Sequence, residues 1–268
     1  MASSVRKMVV QVWPGRAGTA VLDPQRTALL VGRAPGRELG PGAVMPTKTN
    51  IRRPDVRLLS GLPQIEPIIL TARAEAFDDP AWMFEPKYDG FRGFVYHSQA
   101  GCEIRSRRDF RFERFGDLCD RIAGVLGSRE AILDGEVVAL NRQGKPVFRD
   151  LLRGQGYLAF AAFDLLWLDG TDLRPLALAE RKRALGELLP EDTGPLYKIL
   201  TLEEDGRALF SAIRKMDLEG IVAKRKRDPY GPATTWYKVK NPGYSQGEGR
   251  VDLFRRRDRS RRRSEAQE

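Results

Sequence analysis

The chain has 268 residues, of which 41% are hydrophobic and 31% charged, so it can bury a substantial core in one or two soluble domains. No apolar run approaches the roughly 20 residues that cross a membrane, and MASSVRKMVVQVWPG has too short an apolar block for a signal peptide. Two cysteines and one histidine, His97, exclude a disulfide framework, disfavour a Cys/His zinc site and favour a reducing cytoplasm. We expect His97 to be exposed.

The net charge of +10 is confined to the two ends of the chain. Residues 1–60 carry 10 basic and 3 acidic side chains and residues 245–268 carry 8 and 5, whereas residues 61–244 are balanced. Residues 1–60 are also rich in Gly, Pro and Arg, which predicts a disordered leader, within which Met45 is an alternative start. Flexible basic segments bind phosphate backbones or serve only solubility, and charge alone does not separate these interpretations.

Ordered structure is expected from LPQIEPIIL onward. Runs rich in Val, Ile, Phe and Tyr predict strands: GFVYHS, CEIRSR, AILDGEVVAL, LAFAAFDLLWL, GIVAKR and WYKVK. Apolar residues at i, i+3, i+4 and i+7 predict helices: FGDLCDRIAGVL, LALAERKRALGELL and EEDGRALFSAIRKM. Because helices do not alternate one-for-one with strands, we predict an α+β domain with largely antiparallel sheets.

The segment FEPKYDGFRG, residues 84–93, surrounds Lys87 with Glu85, Asp89 and Arg92. A surface lysine beside a turn is one interpretation of this segment, and a reactive amine is the other. A lysine attacks only when neutral, and an ordinary pKa of about 10.4 leaves less than about 0.1% neutral at pH 7. A reactive lysine therefore needs burial or nearby cations.

WYKVK supplies such cations, because alternation along a strand places Lys238 and Lys240 on one face. In a cleft, this pair would bind a triphosphate and disfavour protonation of a third lysine. On a solvated sheet edge, the pair would have no special role.

Acidic and aromatic residues complete the candidate set. Glu136 in LDGE and Glu219 in EGIVAK each stand at a strand beside a glycine, which is expected to leave room for a ligand near the backbone. These carboxylates would hold Mg²⁺ against phosphate oxygens or accept a ribose hydroxyl. Phe163 in FDLLWLDG is either a core residue or a platform for a flat base.

These motifs together resemble a known family. KYDGFR at 87–92 resembles the K-x-D-G-x-R signature of the covalent nucleotidyltransferases, which include ATP-dependent DNA ligases, RNA ligases and mRNA capping enzymes. IRSRRDFRF, LDGE, FDLLWLDG, EGIVAK and WYKVK resemble the family's further motifs and follow in the family's order. FDDPAWMFEPKYDGFR most resembles bacterial ATP-dependent DNA ligases, including the ligase module of bacterial end-joining enzymes. The resemblance covers roughly residues 62–244.

The resemblance implies a nucleotidyltransferase (ATP-grasp-like) adenylation domain over residues 61–244, with antiparallel sheets flanked by helices. Lys87 is the implied nucleophile, which attacks the α-phosphate of ATP, forms lysyl-AMP and releases pyrophosphate. AMP would then pass to a 5′-phosphate for DNA strand joining in repair. Lys238 and Lys240 would hold the α-phosphate, and Arg107 in IRSRRDFRF would bind phosphate.

The same resemblance assigns the remaining site residues. Glu85 would help select adenine and Phe163 would stack on it, while Arg92 would contact the ribose or the 5′-phosphate end. Glu136 would contact the ribose or a metal ion, and Glu219 would bind the metal, which is Mg²⁺ or Mn²⁺.

One departure from the family pattern concerns the end of the chain. DNA ligases of this family usually continue into an OB-fold domain of about 100 residues with a sixth, basic motif, whereas 28 residues follow Lys240 here. Residues 245–268 are therefore expected to form a basic tail without an OB-fold. The expected partners are nicked or broken double-stranded DNA and a DNA-end-binding or OB-fold protein, at the nucleoid in a bacterial cytoplasm. The alternatives are a non-catalytic, partner-dependent relic that binds nucleotide or DNA ends, and an RNA ligase or a guanylyltransferase.

Overall fold

The computed structural model describes residues 61–190 and 194–247. The predicted leader, residues 1–60, and residues 248–268 of the predicted tail lie outside the described residues. The strands are β1 Leu70–Ala72, β2 Asp79–Lys87, β3 Phe91–Ser98, β4 Gly101–Ser106, β5 Ala131–Leu140, β6 Tyr157–Leu168, β7 Thr171–Asp172, β8 Leu196–Lys198, β9 Leu202–Glu204, β10 Gly220–Arg225 and β11 Trp236–Lys240. The helices are α1 Gly116–Leu126, α2 Phe148–Arg153, α3 Leu178–Leu188 and α4 Gly206–Lys215, with a 3-10 turn at Glu113–Phe115.

The strands form two sheets. The first has the order β1-β11-β10-β2-β9, and the second has the order β4-β3-β5-β6-β7, with β8 also pairing to β6. Within the described residues, all pairings between these strands are antiparallel except β1 with β11 and β6 with β8. The prediction of an α+β domain with largely antiparallel sheets is confirmed. None of its described helices is long and apolar enough to span a membrane.

The two sheets pack against each other and against helices. One apolar cluster lies between the second sheet and α1 to α3, and includes Leu118, Leu133 and Leu185. A second cluster joins both sheets to α4 through residues such as Phe84 and Val138. Further along the sheets, a third cluster again contains residues of both. The face of β5 that carries Asp134 and Glu136 is therefore turned toward the first sheet.

Strand β2 departs most from the sequence-based expectation, since FEPK was interpreted as the approach to a turn. Pro80 and Pro86 both lie within this strand. Pro86 pairs with Ile221 of β10 but lies beyond the residues that pair with β9, so its missing N–H leaves no ladder bond unmade on that side. A proline is therefore tolerated in the strand that carries Lys87.

Helix α3 is anchored by a buried ion pair. The guanidinium of Arg181 donates two hydrogen bonds of 2.9 Å to the carboxylate of Asp164 on β6, and both side chains are 0% exposed. Backbone bonds from Leu178 to Asp228 and from Ala179 to Lys226 tie the start of the helix to the end of β10. These contacts fix α3 against both the second sheet and the loop that follows β10.

Candidate active site

Lys87 is the last residue of β2, and strand register determines its neighbours. It pairs with Gly220 of β10, which in turn pairs with Lys240 of β11. Two residues back along these strands, Glu85 and Lys238 flank β10 in the same way. Because residues i and i+2 of a strand share a face, Glu85, Lys87, Lys238 and Lys240 lie on one face of the first sheet.

The glycines beside the two acidic residues serve strand packing. A Cβ at Gly220, whose φ is +154°, would lie 2.1 Å from the carbonyl oxygen of Val239. A Cβ at Gly135 would lie 2.4 Å from the ring of Phe160. The expectation that these glycines leave room for a ligand is wrong, because protein atoms fill the space beside them.

Glu219 immediately precedes β10 and contacts Lys87. Its Oε2 forms an ion pair with the Nζ of Lys87, and the two side chains are 8% and 18% exposed. The amine is thus held by a carboxylate while its side chain remains partly open to solvent.

Further cations lie close to Lys87. The pKa of Lys238 is lowered by burial, and further by the positive charges of Lys240, Lys87 and Arg107. Arg107 and Lys240 are exposed, and neither they nor Lys238 and Glu219 are among the residues that line the adjoining cleft. We call Lys87, Glu136, Glu219 and Lys238 the phosphate end of the site.

Glu136 projects from β5 toward Lys87 and Glu219. Burial raises its pKa to about 7, and the negative charges of Glu219 and Asp89 add to that rise. The positive charges of Lys87 and Arg92 oppose it. An added cation beside Glu136 would therefore be favoured electrostatically.

Arg92 lies below this end in a buried network. Its Nε and Nη2 donate to the two carboxylate oxygens of Asp134 at 3.1 and 2.7 Å, and its Nη1 donates to the carbonyl of Ile68 at 2.6 Å. The hydroxyl of Tyr230 donates to Asp134 at 2.7 Å. Burial opposes the charge of Arg92, but Asp134 keeps the pKa of the guanidinium above its ordinary value. The side chain is thus committed to Asp134 while it still lines the cleft.

The other end of the cleft is aromatic and contains a buried carboxylate. Phe163 has no partner in the β5–β6 ladder, where the register shifts, and such a bulge redirects a side chain. The Nζ of Lys224 lies 2.7 Å from Oε2 of Glu85, 4.3 Å from the ring centroid of Phe163 and 4.0 Å from that of Trp236. Burial lowers the pKa of Lys224 to about 8 against the opposing charge of Glu85. We call Glu85, Phe163, Lys224 and Trp236 the base end.

A cleft of about 440 Å³, including its open mouth, joins the two ends. The lining residues are Leu70, Glu85, Pro86, Lys87, Tyr88, Arg92, Glu136, Phe163, Ile199, Val222, Lys224 and Trp236. One end is charged and the other offers flat apolar surface, so the cleft fits a nucleotide.

The family model described as the ATP dependent DNA ligase domain matches residues 69–240, which contain both ends of the cleft. The chain belongs to this family of ATP-dependent DNA ligase domains. It is 36% identical over 169 residues to the multifunctional non-homologous end joining protein LigD of Pseudomonas aeruginosa, and 33% identical over 181 residues to that of Mycolicibacterium smegmatis. These matches cover 59% and 63% of the chain but only 20% and 24% of those relatives.

Solved ligase domains have a similar fold. The structure of mycobacterial DNA ligase D complexed with ATP and MES matches with a TM-score of 0.59 and 31% identity, covering 65% of this chain and 60% of that one. The ligase domain of LigD from M. tuberculosis matches with a TM-score of 0.57 and 30% identity, covering 65% of this chain and 59% of that one. The fold predicted from the ligase resemblance is confirmed.

The described part of this ligase domain offers two carboxylates near Lys87 for a metal ion, Glu136 and Glu219. Within residues 61–190 and 194–247, no group of three or more His, Cys, Asp or Glu side chains is arranged to hold a metal ion. The charges of Glu136 and Glu219 interact with each other and with that of Lys87. Two carboxylates fit a metal that is also bound by nucleotide phosphates, as Mg²⁺ commonly is.

The structure adds ligase-site residues that the sequence did not single out. Lys224 lies inside EGIVAK, at the end of an apolar run that predicts a buried strand. Trp236, the first residue of WYKVK, shares the strand face of Lys238 and Lys240. The aromatic and β-branched composition of these strands is equally typical of core, so only the alternation of a lysine into a buried strand is a usable signal.

His97 does not contribute to the ligase site. It is 3% exposed, and its Nδ1 lies 2.7 Å from the carbonyl oxygen of Arg129. The expectation that His97 is exposed is therefore wrong, because β3 is covered on the face that carries it. Cys119 is buried and Cys102 is half-buried, both as free thiols.

Proposed function

We propose that this domain transfers AMP from ATP to Lys87 and then to the 5′-phosphate at a DNA strand break. The observation that carries the proposal is the placement of Lys87 at the end of β2, where it lines the cleft, pairs with Glu219 and lies across β10 from the lysines of β11. The match to a ligase solved with ATP supports the choice of nucleotide.

In the first step, the neutral amine of Lys87 attacks the α-phosphorus of ATP. A nitrogen–phosphorus bond forms, the bond to the bridging oxygen of the β-phosphate breaks, and pyrophosphate leaves. Glu219 contacts the Nζ of Lys87 and is placed to accept the proton that the amine loses. Lys238 and Lys240 stabilise negative charge on the α-phosphate, and Arg107 binds phosphate at the cleft mouth.

At the other end, Phe163 stacks on adenine and Glu85 accepts a hydrogen bond from its amino group. Arg92 supports the ribose side of the cleft or contacts the 5′-phosphate end. Mg²⁺ or Mn²⁺ held by Glu136, Glu219 and phosphate oxygens would stabilise the charge that develops during transfer.

In the next step, an oxygen of the DNA 5′-phosphate attacks the phosphorus of lysyl-AMP, and the bond to Lys87 breaks. The adjacent 3′-hydroxyl then attacks the 5′-phosphate and releases AMP, which joins the strands. Relatives named for non-homologous end joining support broken or nicked double-stranded DNA as the substrate, in repair in a bacterial cytoplasm at the nucleoid. A DNA-end-binding or OB-fold protein is the proposed partner.

The test is covalent labelling followed by transfer. Incubation with ATP and Mg²⁺ or Mn²⁺ should add the mass of one AMP to the protein, and Lys87→Ala should abolish the adduct. Lys215→Ala, which removes an exposed lysine of α4, should keep it. Absence of the adduct with either metal would refute the proposal.

The labelled protein then receives a 5′-phosphorylated nick in DNA or in RNA, and GTP replaces ATP in a parallel reaction. Transfer to DNA with ATP supports the proposed function. Transfer to RNA alone would identify an RNA ligase, and nucleotide binding without any adduct would identify a non-catalytic relic.

A further inference from the structure

A second lysine contacts Glu85 from outside the cleft. The Nζ of Lys182, on α3, forms an ion pair with Oε1 of Glu85, while Lys224 pairs with Oε2. Glu85 is 2% exposed, and the side chains of Lys182 and Lys224 are 11% and 1% exposed. One buried carboxylate therefore receives two ammonium groups, one on each oxygen.

Lys182 is not among the residues that line the cleft. Within the described ranges it pairs with no other carboxylate. The ordinary reason for a buried lysine is a charge partner that offsets its desolvation, and Glu85 already has one in Lys224. The second lysine therefore does something other than neutralise Glu85.

The position of Lys182 is fixed by its neighbours in α3. Arg181, the preceding residue, is locked to Asp164 by two hydrogen bonds of 2.9 Å. The start of α3 is bonded to residues 226–228, which directly follow the strand that carries Lys224. Both ammonium groups are thus held on rigid elements on opposite sides of one carboxylate, which limits rotation of that carboxylate.

We propose that Lys182 is a positioning residue for nucleotide selection, holding Oε1 of Glu85 so that Oε2 and the ammonium of Lys224 stay side by side facing the base. This inference rests on the proposed use of ATP. The pair then offers one acceptor and one donor. Adenine presents a donating amino group beside an accepting ring nitrogen, whereas guanine presents an accepting oxygen beside a donating N–H. A fixed acceptor–donor pair therefore accepts one purine and opposes the other.

Without Lys182, Oε1 of Glu85 keeps only the long contact of 3.4 Å with the hydroxyl of Thr201, and the carboxylate can turn both oxygens toward Lys224. Lys224 would then be withdrawn into a two-oxygen ion pair, and the separate donor would be lost. The charge of Lys182 also contributes to the lowered pKa of Lys224, in keeping with the short separation of the two ammonium groups.

The experiment measures binding and chemistry separately. Equilibrium binding of ATP and GTP is measured in a Lys87→Met background, so that the result does not depend on lysyl-AMP formation. Lys182→Met should weaken ATP binding about tenfold and GTP binding less than about threefold, because a hydrogen-bonding site discriminates through its fixed polar groups. Lys182→Arg should restore the preference for ATP, since it keeps the charge on α3.

Arg183→Met is the matched control, because it removes a neighbouring charge from the exposed face of the same helix. It should leave both affinities unchanged. With Lys87 intact, Lys182→Met should raise the KM for ATP about tenfold and change kcat for lysyl-AMP formation less than about twofold.

An unchanged preference for ATP over GTP in Lys182→Met would overturn the proposal. Equal losses for both nucleotides, with a lower unfolding temperature and no rescue by Lys182→Arg, would also overturn it and assign Lys182 a structural role. If the binding results are as expected but no lysyl-AMP forms on the intact chain, the positioning role stands and the proposed transfer fails.

Discussion

At the base end of the cleft, Glu85 is 2% exposed and each of its oxygens is held by a lysine, whereas at the phosphate end Lys87 keeps 18% of its side chain open and contacts a single carboxylate. Glu85 and Lys87 share the first sheet and lie two residues apart along β2. The carboxylate of Glu85 is held by two lysines, whereas the amine of Lys87 is held by one carboxylate.

This difference follows from what each end must do. A group that recognises a base must keep one orientation, so a buried carboxylate with several partners is suitable. A group that takes up an adenylyl unit must pass its proton to Glu219 and exchange that contact for a bond to the α-phosphorus, so Lys87 has a single partner. Partial exposure and a single partner make that exchange less costly.

The largest expected effect is at the phosphate end. Glu219→Gln should slow lysyl-AMP formation about a thousandfold, or about 4 kcal/mol in activation free energy, because it removes a charge beside the reacting amine. ATP affinity should change less than about threefold, since base recognition is untouched. Rapid-quench labelling and equilibrium binding measure the two quantities.

Glu203→Gln is the control for this change. Glu203 is an exposed acid that pairs with Lys226, away from Lys87. It should retain the wild-type rate, and an equal loss in both variants would mean that general electrostatics and not the contact with Lys87 is responsible.

The buried network of Arg92, Asp134 and Tyr230 should contribute more to stability than the exposed ion pairs. Asp134→Asn leaves the buried Arg92 without its counter-charge and should lower the free energy of unfolding by about 3 kcal/mol. Asp169→Asn removes the charge from a pair whose side chains are 47% and 45% exposed and should cost less than about 1 kcal/mol. Urea unfolding measures both, and similar losses would contradict the contrast between buried and exposed charges.

The base end should also affect the pH dependence of stability. Burial lowers the pKa of Lys224 in the folded protein to about 8 from its ordinary value of 10.5. Between these values the unfolded chain binds more protons, so the free energy of unfolding should rise with pH, by up to about 2 kcal/mol from pH 8 to pH 10.

Lys224→Met removes this titrating group and should flatten that part of the profile. The measurement is urea unfolding of both proteins at pH 8, 9 and 10. A wild-type profile no steeper than that of the variant would show that Lys224 is charged throughout this range.

The smallest of these effects should come from the aromatic residue of the base end. Phe163→Ala should raise the KM for ATP about tenfold, because stacking on a base contributes roughly 1–3 kcal/mol, and should leave kcat nearly unchanged. Phe163→Tyr keeps the flat ring and should keep the KM. A fall in kcat without a change in KM would place Phe163 outside base binding.

Sequence predicted the strands that have simple boundaries. The predicted runs AILDGEVVAL, GIVAKR and WYKVK coincide with β5, β10 and β11, because Gly, Asp or Asn adjoins each apolar run. The sequence did not predict β2, because Pro80 and Pro86 argue against a strand. Pro86 is tolerated because it lies beyond the residues of β2 that pair with β9. The six-residue helix α2 is too short to show a helical period.

The candidate site was predictable only where its residues share a motif. Lys87 and Glu85 lie in one short segment, and the ligase resemblance linked that segment to Glu136, Phe163 and Glu219. Lys182 could not be found in this way, because its contact with Glu85 joins residues distant in sequence and depends on how α3 packs. His97 was misassigned because the sequence does not show which strand faces are covered.

The ladder that joins β2 to β10 has a consequence for tolerance to insertion and deletion. Glu85 and Lys87 share a face because one residue separates them, and the rise along a strand sets their spacing at about 7 Å. Adding or removing one residue between them would turn one side chain to the opposite face while leaving both residues present. The number of residues between Glu85 and Lys87 is therefore as constrained as their identities. The pleat of β2 sets the distance between the carboxylate that recognises the base and the amine that reacts.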